Sequence, residues 1–564
     1  MAAGKNNSIE NILFEKGKID KQQLEDIRAM RERTGESSEA VIRKKKLATD
    51  DEIMQLMSES MGVPFIELDT YIIDPVAVNL LDEKVVRRLK VIPLYAIRDT
   101  LTVAMANPQD ILALDEIKML TKYKNVQAVM ASEKDVMSSI EQAYVHGKSL
   151  EDIVKPLETK GMIYAESSYM TSQSLALLAG QPPVVKFVNQ MIYDAVKNRA
   201  SDIHVEPMQD IMRIRFRVDG VLHTAVNISR NIHLPLAPRI KILSGLDIAE
   251  RRKPQDGRFT VNVAGREIDL RVATFPTAYG ESVSIRLLDK STSLIAVEDL
   301  GLTKTMLKKF KRLIKSAHGC ILVTGPTGSG KTTTLYAILN DLASPEKNIL
   351  TIEDPIEYMV GNVTQAQVNP KIGLDFASAL RSFLRHDPDV IMVGEIRDYE
   401  TTEMAFRAAL TGHLVLSTVH TNDAPGTIMR LIDMGLDKNM LTSCLVCIIA
   451  QRLVRLICES CKTECVPDKA LLEDAGIDAP PGAKFYKGKG CEECNGVGYR
   501  GRIGIFELLE FSDELRLMVQ KNAPLEEVRQ TAIKAGMTTL KQDGIDKVLR
   551  GLITVEELLR VTQE

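Results

Sequence analysis

The run Gly325-Pro-Thr-Gly-Ser-Gly-Lys-Thr-Thr-Thr334 follows directly on the apolar segment Cys320-Ile-Leu-Val-Thr324. This junction constrains the fold more than any other stretch: a buried strand must end, the backbone must curl, and a helix must begin within a few residues. The glycines permit a curl in which successive N–H groups point inward at one anion. Gly325, Pro326, Thr327, Gly328, Ser329 and Gly330 would cradle phosphate oxygens, and the helix expected over 332–342 adds its positive end. Lys331 is placed to reach the β- and γ-phosphates, Thr332 to put a hydroxyl on Mg2+, and Thr333 to complete the nucleotide-binding set. The expectation is a phosphate-loop domain on a mostly parallel α/β sheet that binds a nucleoside triphosphate.

Three more apolar runs end in residues suited to phosphate chemistry. Asp389-Val-Ile-Met-Val-Gly-Glu395 reads as a buried strand closing on an acid. Glu395 is the candidate general base, and with Thr332 it is expected to orient Mg2+. Ile349-Leu-Thr-Ile-Glu-Asp354 delivers Glu353 and Asp354 at the end of another strand, where ligands collect in open parallel sheets. Thr411-Gly-His-Leu-Val-Leu-Ser-Thr-Val-His420 carries His413 and His420 on either side of a strand, and one of them could sense the γ-phosphate or the bound water.

A chain of 564 residues exceeds one hydrophobic core and implies roughly three to five domains. A net charge of −4 argues against a dedicated nucleic-acid binder. No run is long and apolar enough to span a bilayer, and Met1–Glu10 has no apolar signal region, so a cytosolic chain without direct membrane insertion is expected. Residues 1–145 read as a helical module followed by a small α/β unit. Within it, the plan at Asp20-Lys-Gln-Gln-Leu24 recurs at Thr49-Asp-Asp-Glu-Ile53, 29 residues later (49 − 20). Residues 146–181 read as a linker. Residues 182–295 contain a helix and several alternating strands, including Met212–Val218 and Val221–Val226 joined by Asp219-Gly220. The phosphate-loop domain is placed at 296–440, and 441–564 is expected to be helical around a cysteine-bearing insert at 458–494.

Cys458-Glu-Ser-Cys461 and Cys491-Glu-Glu-Cys494 are two C-x-x-C knuckles separated by 29 residues (491 − 461 − 1). Cysteines in a cytosolic chain are read for metal before disulfides, and two knuckles complete a tetrahedral four-cysteine zinc site with no open position, hence structural. An inserted helix near 468–475 would fill the long gap. Cys444-Leu-Val-Cys447 is placed in an apolar helical run and read as core, with Cys320 and Cys465 as bystanders. Arg213, Arg215 and Arg217 alternate along one strand and share a face. Such a face is either neutralised by acidic neighbours or presented to phosphates across a junction.

The four acid, histidine and phosphate-loop segments, in this order, resemble the boxes of the type II secretion and type IV pilus ATPase superfamily. The resemblance runs from about residue 182 to the C-terminus and includes Ala200-Ser-Asp-Ile-His-Val-Glu206, Arg215–Gly220 and Arg252-Lys-Pro-Gln-Asp-Gly-Arg258. It is strongest to the assembly (extension) ATPases of the PilB kind, because the four-cysteine module is similar to theirs and retraction ATPases generally lack it. The resemblance implies a RecA-like domain, a PAS-like arginine-rich second domain and a homohexameric ring that uses ATP, Mg2+ and Zn2+. It also implies a site completed by arginines: Arg217 and Arg239 first, then Arg271 and Arg286. A pilus-assembly motor acting on an inner-membrane platform protein is the expected function. Type II secretion is the alternative, and a nucleic-acid motor is disfavoured by the acidic balance. The first 145 residues resemble N-terminal domains of which some bind cyclic di-GMP through Arg-Leu-Gly motifs. Here the matching stretches read Ser8-Ile-Glu-Asn and Glu36-Ser-Ser-Glu, so docking is expected in preference to dinucleotide sensing.

Overall fold

Aliphatic runs of four to seven residues separated by capped amphipathic helices recur along the second half of the chain, a pattern that can bury both faces of a sheet. The computed structural model describes residues 9–35, 37–45, 47–144, 172–230, 233–289, 295–478, 480 and 482–563. It divides into two units, Met1–Ser291 and Thr292–Glu564.

The first unit begins with two helix pairs, Ile9–Glu15 with Lys21–Thr34 and Ser38–Lys44 with Asp50–Met61. The repeated plan has a local cause: Asp20 with Gln23 and Thr49 with Glu52 each form a reciprocal capping box at a helix start. Leu13, Ile27, Val41, Ile42 and Ile53 form the common core of this module. Next comes a three-stranded sheet of Val91–Ile97, Thr100–Met105 and Asn125–Met130. Its last strand has no apolar start and was not expected from the sequence. Of the linker expected over 146–181, residues 146–171 lie outside the described residues, while Ser172–Ala179 is helical. Ser8 and Glu36, which open the two N-terminal stretches, also lie outside them.

The arginine-rich domain contributes six strands to a seven-stranded sheet, whose edge strand Tyr71–Ile72 comes from earlier in the chain and pairs with Asn262–Val263; the helices Pro182–Lys197 and His233–Leu243 cover it. A two-residue turn joins Ile211–Val218 to Val221–Ser229, with Asp219 and Gly220 both at positive φ (48° and 86°), the hairpin geometry that favours Asp-Gly. Each of the three alternating arginines faces a carboxylate. Arg213 and Arg215 both reach Glu206, at 3.1 and 2.5 Å, and Arg217 lies 3.6 Å from Asp202, which also holds Arg286 at 3.1 Å. Cross-strand carboxylates therefore pair with every arginine of the row, two arginines to each acid.

The second unit is built on a seven-stranded sheet in the order Thr364–Gln367, Ile349–Glu353, Val390–Val393, Leu414–Val419, Gly319–Thr324, Leu445–Ile457, Tyr499–Glu510. The first six strands are parallel and the last is antiparallel. Lys304–Leu313 and Lys331–Leu342 cover one face, with Phe310, Leu335, Ile338 and Leu339 buried there. Tyr399–Leu410 and Ala424–Asp433 cover the other, burying Phe406, Ile428 and Leu431.

Two strands correct the expectation of an all-helical region after residue 440. Leu445–Ile457 and Tyr499–Glu510 are part of the central sheet, and four helices follow only from Asp513 onward. Cys444 closes the helix Lys438–Cys444 and Cys447 lies in a strand, so the pair is core as expected but only Cys444 is helical. A continuous apolar run such as Leu445-Val-Cys-Ile-Ile-Ala450 has no period that separates a buried strand from a buried helix.

The helix Leu540–Leu549 is tied to the sheet through Asp543, which also forms a buried ion pair within the helix. Lys547 Nζ lies 2.5 Å from Asp543 Oδ2, which also accepts the Phe506 N–H at 2.9 Å. Removing one partner of such a pair strands a buried charge. Asp543→Ala is expected to destabilise the second unit by roughly 3–5 kcal/mol, read as a lowered urea midpoint. A midpoint unchanged within error would show that the pair holds nothing together.

Candidate active site and cysteine cluster

Parallel strands place all their C-terminal ends on one rim of the sheet, and the site residues collect there. The phosphate-loop strand ends at Thr324, paired with Val419 on one side and Ala450 on the other. Beyond Thr324 the loop turns through positive φ at Gly325, Gly328 and Gly330 (149°, 80° and 88°) and enters the helix at Lys331. Gly325 has a second requirement: a Cβ there would sit 2.5 Å from the Gln451 carbonyl oxygen. Thr327 and Gly328 are exposed at the crown of the loop, while Ser329 is buried. The Ser329 hydroxyl has no hydrogen-bond partner among the described residues, and a phosphate oxygen would satisfy it.

Lys331 Nζ donates to the carbonyls of Gly325 at 2.7 Å and Pro326 at 3.1 Å, so the amine lies across its own loop. Burial pulls its pKa down to about 8, with Glu395 opposing and Arg452 reinforcing the shift. His420 Nδ1 lies 3.5 Å from that amine, and His420 Nε2 lies 3.5 Å from Glu395 Oε2. Arg397 Nη2 holds the other oxygen of Glu395 at 2.5 Å. Lys331, His420, Glu395 and Arg397 thus form one chain of contacts drawn from separate segments. Burial and the Lys331 charge lower the His420 pKa, against the pull of Glu395, which leaves the ring neutral at pH 7. A neutral imidazole with its proton on Nε2 fits both contacts. Thr332 and Thr333 are exposed on the first turn of the helix.

Two expected ligands are placed otherwise. His413 precedes its strand, where its carbonyl accepts the Gly319 N–H at the start of the phosphate-loop strand. It therefore lies on the opposite rim, roughly 20 Å away at about 3.3 Å per strand residue, and its ring faces the Ala408 carbonyl at 2.8 Å. Sequence spacing put both histidines beside one strand, and strand direction decides which one reaches the ligand edge. Glu353 does end its strand on the correct rim, but its carboxylate is buried. It accepts from Tyr336 Oη, from Thr351 Oγ1 at 2.6 Å and from Gln365 Nε2 at 3.0 Å. Glu353 thus braces the domain interior, and Asp354 beside it is exposed.

Arg217 and Arg239 belong to the first unit. Arg217 is about one-third exposed, with Nη1 donating to Gly220 O at 3.0 Å. Arg239 lines a cavity of about 1100 Å³ together with Tyr144, Lys186 and Tyr193.

Residues that sequence analysis missed hold the loop from behind. Thr324 Oγ1 is 2.5 Å from Thr421 Oγ1, which is 2.6 Å from Thr427 Oγ1. Gln451 Nε2 donates to Ser329 O, and Gln451 Oε1 accepts from Thr334 Oγ1, both at 2.7 Å. The available signal was the register of an adjacent strand, which a misassigned helix concealed.

The four knuckle cysteines converge at the end of the strand carrying Gln451. Cys458–Cys491 and Cys461–Cys494 sulfurs are 3.8 Å apart, Cys491–Cys494 sulfurs 3.7 Å, and all four lie within 4.8 Å of one another. A tetrahedron with arms of ~2.3 Å, the Zn–S distance, has an edge of about 3.8 Å. The donor set therefore fits a zinc ion. The Lys469–Ala475 helix, capped by Asp468, occupies the long gap between the knuckles.

A family model described as Type II/IV secretion system protein matches residues 178–560, and one described as MshEN domain matches residues 61–150. The type IV pilus assembly ATPase PilB of Myxococcus xanthus is 42% identical over 554 residues, covering 97% of each chain. The type II secretion system protein E of Xanthomonas campestris pv. campestris is 40% identical over 560 residues, covering 98% of each. Among solved structures, the Legionella pneumophila ATPase DotB is similar in fold, with a TM-score of 0.51 at 23% identity over 67% of this chain and 95% of that one.

Cobalt titration of the purified chain is expected to give a thiolate-to-metal charge-transfer band saturating at about one ion per chain, the stoichiometry of a single four-thiolate site. Cys461→Ser should weaken that band and lower thermal stability. An unaltered band would exclude Cys461 as a ligand.

Proposed function

The chain belongs to the Type II/IV secretion system protein family, and we propose that it is the ATP-driven motor of type IV pilus assembly. It is an ATPase with a RecA-like phosphate-loop domain. The observation that carries the catalytic assignment is the contact chain from Lys331 through His420 to Glu395. A nucleophile-activating carboxylate is thereby held next to the amine that meets the phosphates. What supports pilus assembly over type II secretion is similarity along the whole chain to the pilus assembly ATPase, at 42% against 40%.

In this mechanism the loop N–H groups and Lys331 bind the β- and γ-phosphates, displacing Lys331 from the Gly325 and Pro326 carbonyls. Thr332 and Glu395 would hold Mg2+, which neutralises developing charge on the phosphates when bound. Glu395 accepts the proton of the attacking water, and His420 keeps that carboxylate oriented. We assign completion of the site to arginines of a homohexameric ring, Arg217 first because it is partly exposed and only loosely paired. Arg239, Arg271 and Arg286 rank behind it. The four-cysteine cluster is taken as structural zinc. No described helix is long and apolar enough to cross a membrane. We place the motor at the cytoplasmic face, acting on an inner-membrane platform protein, on the strength of its similarity to the pilus assembly ATPase. The N-terminal module is assigned to docking, since both expected arginines of a cyclic di-GMP motif are replaced.

Glu395→Gln is expected to reduce phosphate release at least a hundredfold while ATP still binds, in line with loss of a general base. Lys331→Ala should lose both binding and turnover. Undiminished hydrolysis by Glu395→Gln would remove it as the base. Lys331 also imposes a pH dependence. Its nucleotide-free pKa of about 8 rises when phosphates stabilise the charged amine, so binding takes up a proton. ATP affinity should fall as pH rises through 8. Calorimetry in buffers of different ionisation heat reads the proton uptake directly, and a flat profile from pH 7 to 9.5 would contradict the placement.

A further inference from the structure

We propose that Gln451 is a positioning residue that keeps the phosphate loop open for ATP before any nucleotide arrives; this rests on the nucleotide site assigned above. The strand Leu445–Ile457 runs parallel to Gly319–Thr324, with Ala450 paired to Thr324. Gln451 is therefore the residue that stands beside the first residue of the loop. Its side chain is almost wholly buried. The amide spans from the buried end of the loop at Ser329 to the first turn of the helix, donating to Ser329 O and accepting from Thr334 Oγ1, at 2.7 Å each. Its backbone forms the other half of the mould: the Gln451 carbonyl approaches so closely that a side chain at Gly325 would sit 2.5 Å from it. Arg452 Nη1 donates to the same carbonyl at 3.2 Å and so fixes its direction.

A phosphate loop must keep its N–H groups pointing inward with no anion present. Left alone, a glycine-rich turn samples many conformations, and ordering it on binding costs affinity. Gln451 supplies order from outside the loop. It ties two points of the loop-helix junction to a strand buried in the sheet and makes no claim on the N–H groups that would face phosphate. The same strand continues without a break to Ile457 and then to Cys458 of the cysteine cluster. Holding the loop and carrying the cluster are thus tasks of one strand. A residue of this kind acts on nucleotide affinity and leaves the chemical step alone.

The test uses the full-length chain with Gln451→Met, which keeps shape and removes both hydrogen bonds, and Thr334→Val, which removes one from the other side. Mg2+ with a fluorescent N-methylanthraniloyl ATP gives Kd, phosphate release gives kcat and KM, and amide hydrogen exchange without nucleotide reads the loop itself. Gln451→Met should raise Kd and KM about tenfold, the size of one net hydrogen bond, with kcat held within about twofold. Exchange should quicken over residues 325–334 and stay unchanged in the helix Ala424–Asp433. Thr334→Val should have a smaller effect in the same direction, and the double variant should be no worse than Gln451→Met. A lowered kcat at unchanged KM, or unaltered exchange over 325–334, overturns the proposal. Absence of ATP binding by the unmodified chain would overturn the nucleotide assignment, and the exchange comparison would still decide whether Gln451 orders the loop.

Discussion

The parallel pairing of Gly319–Thr324 between Leu414–Val419 and Leu445–Ile457 is the constraint on which the second unit depends. Each of the six residues from Gly319 to Thr324 is buried, so the strand cannot slip without exposing apolar surface on both faces. Once its register is set, three chain exits are set with it. Gly325, His420 and Gln451 each follow a residue paired at the same level of the sheet. The glycine turn, the imidazole and the supporting amide therefore meet without any of the three segments being adjacent in sequence.

Charge is managed in the two units by one principle and to different ends. In the arginine-rich domain, Glu206 and Asp202 sit across from the arginine row and pair with it, Arg217 being the most loosely held member. At the phosphate rim, Glu395 is gripped by Arg397 and faced by His420, while Lys331 leans on loop carbonyls. Those contacts occupy polar groups that a triphosphate would claim. The Lys331 contacts are thus replaceable: a phosphate offers Lys331 a better partner than a carbonyl, because a charge-assisted bond between two ions is stronger than one to a neutral acceptor.

Much of this was legible beforehand where local chemistry and function coincide. The phosphate loop, the acid at the end of Asp389–Glu395, the Asp219-Gly220 hairpin and the paired cysteine knuckles are all short-range patterns with one physical solution each. What was missed depends on partners distant in sequence. His413 and His420 are equivalent in any reading of spacing, and only strand direction sends one to each rim. Glu353 looked like a ligand because it ends a strand, yet Tyr336, Thr351 and Gln365 claim its carboxylate. Leu445–Ile457 was mistaken for helix because an unbroken apolar run carries no period, and Gln451 was lost with it.

The amino-acid sequence by itself determined that a strand must give way to a glycine turn at Gly325, and that four cysteines stand in two knuckles at the spacing of a metal site. Both follow from residue types at fixed short spacings, where backbone geometry leaves little choice. The tertiary structure alone decided that His420 and not His413 stands beside Lys331 and Glu395, and that the buried Gln451 amide supports the loop. Those assignments depend on sheet order and register, which arise from burying several apolar runs at once and are written in no single segment.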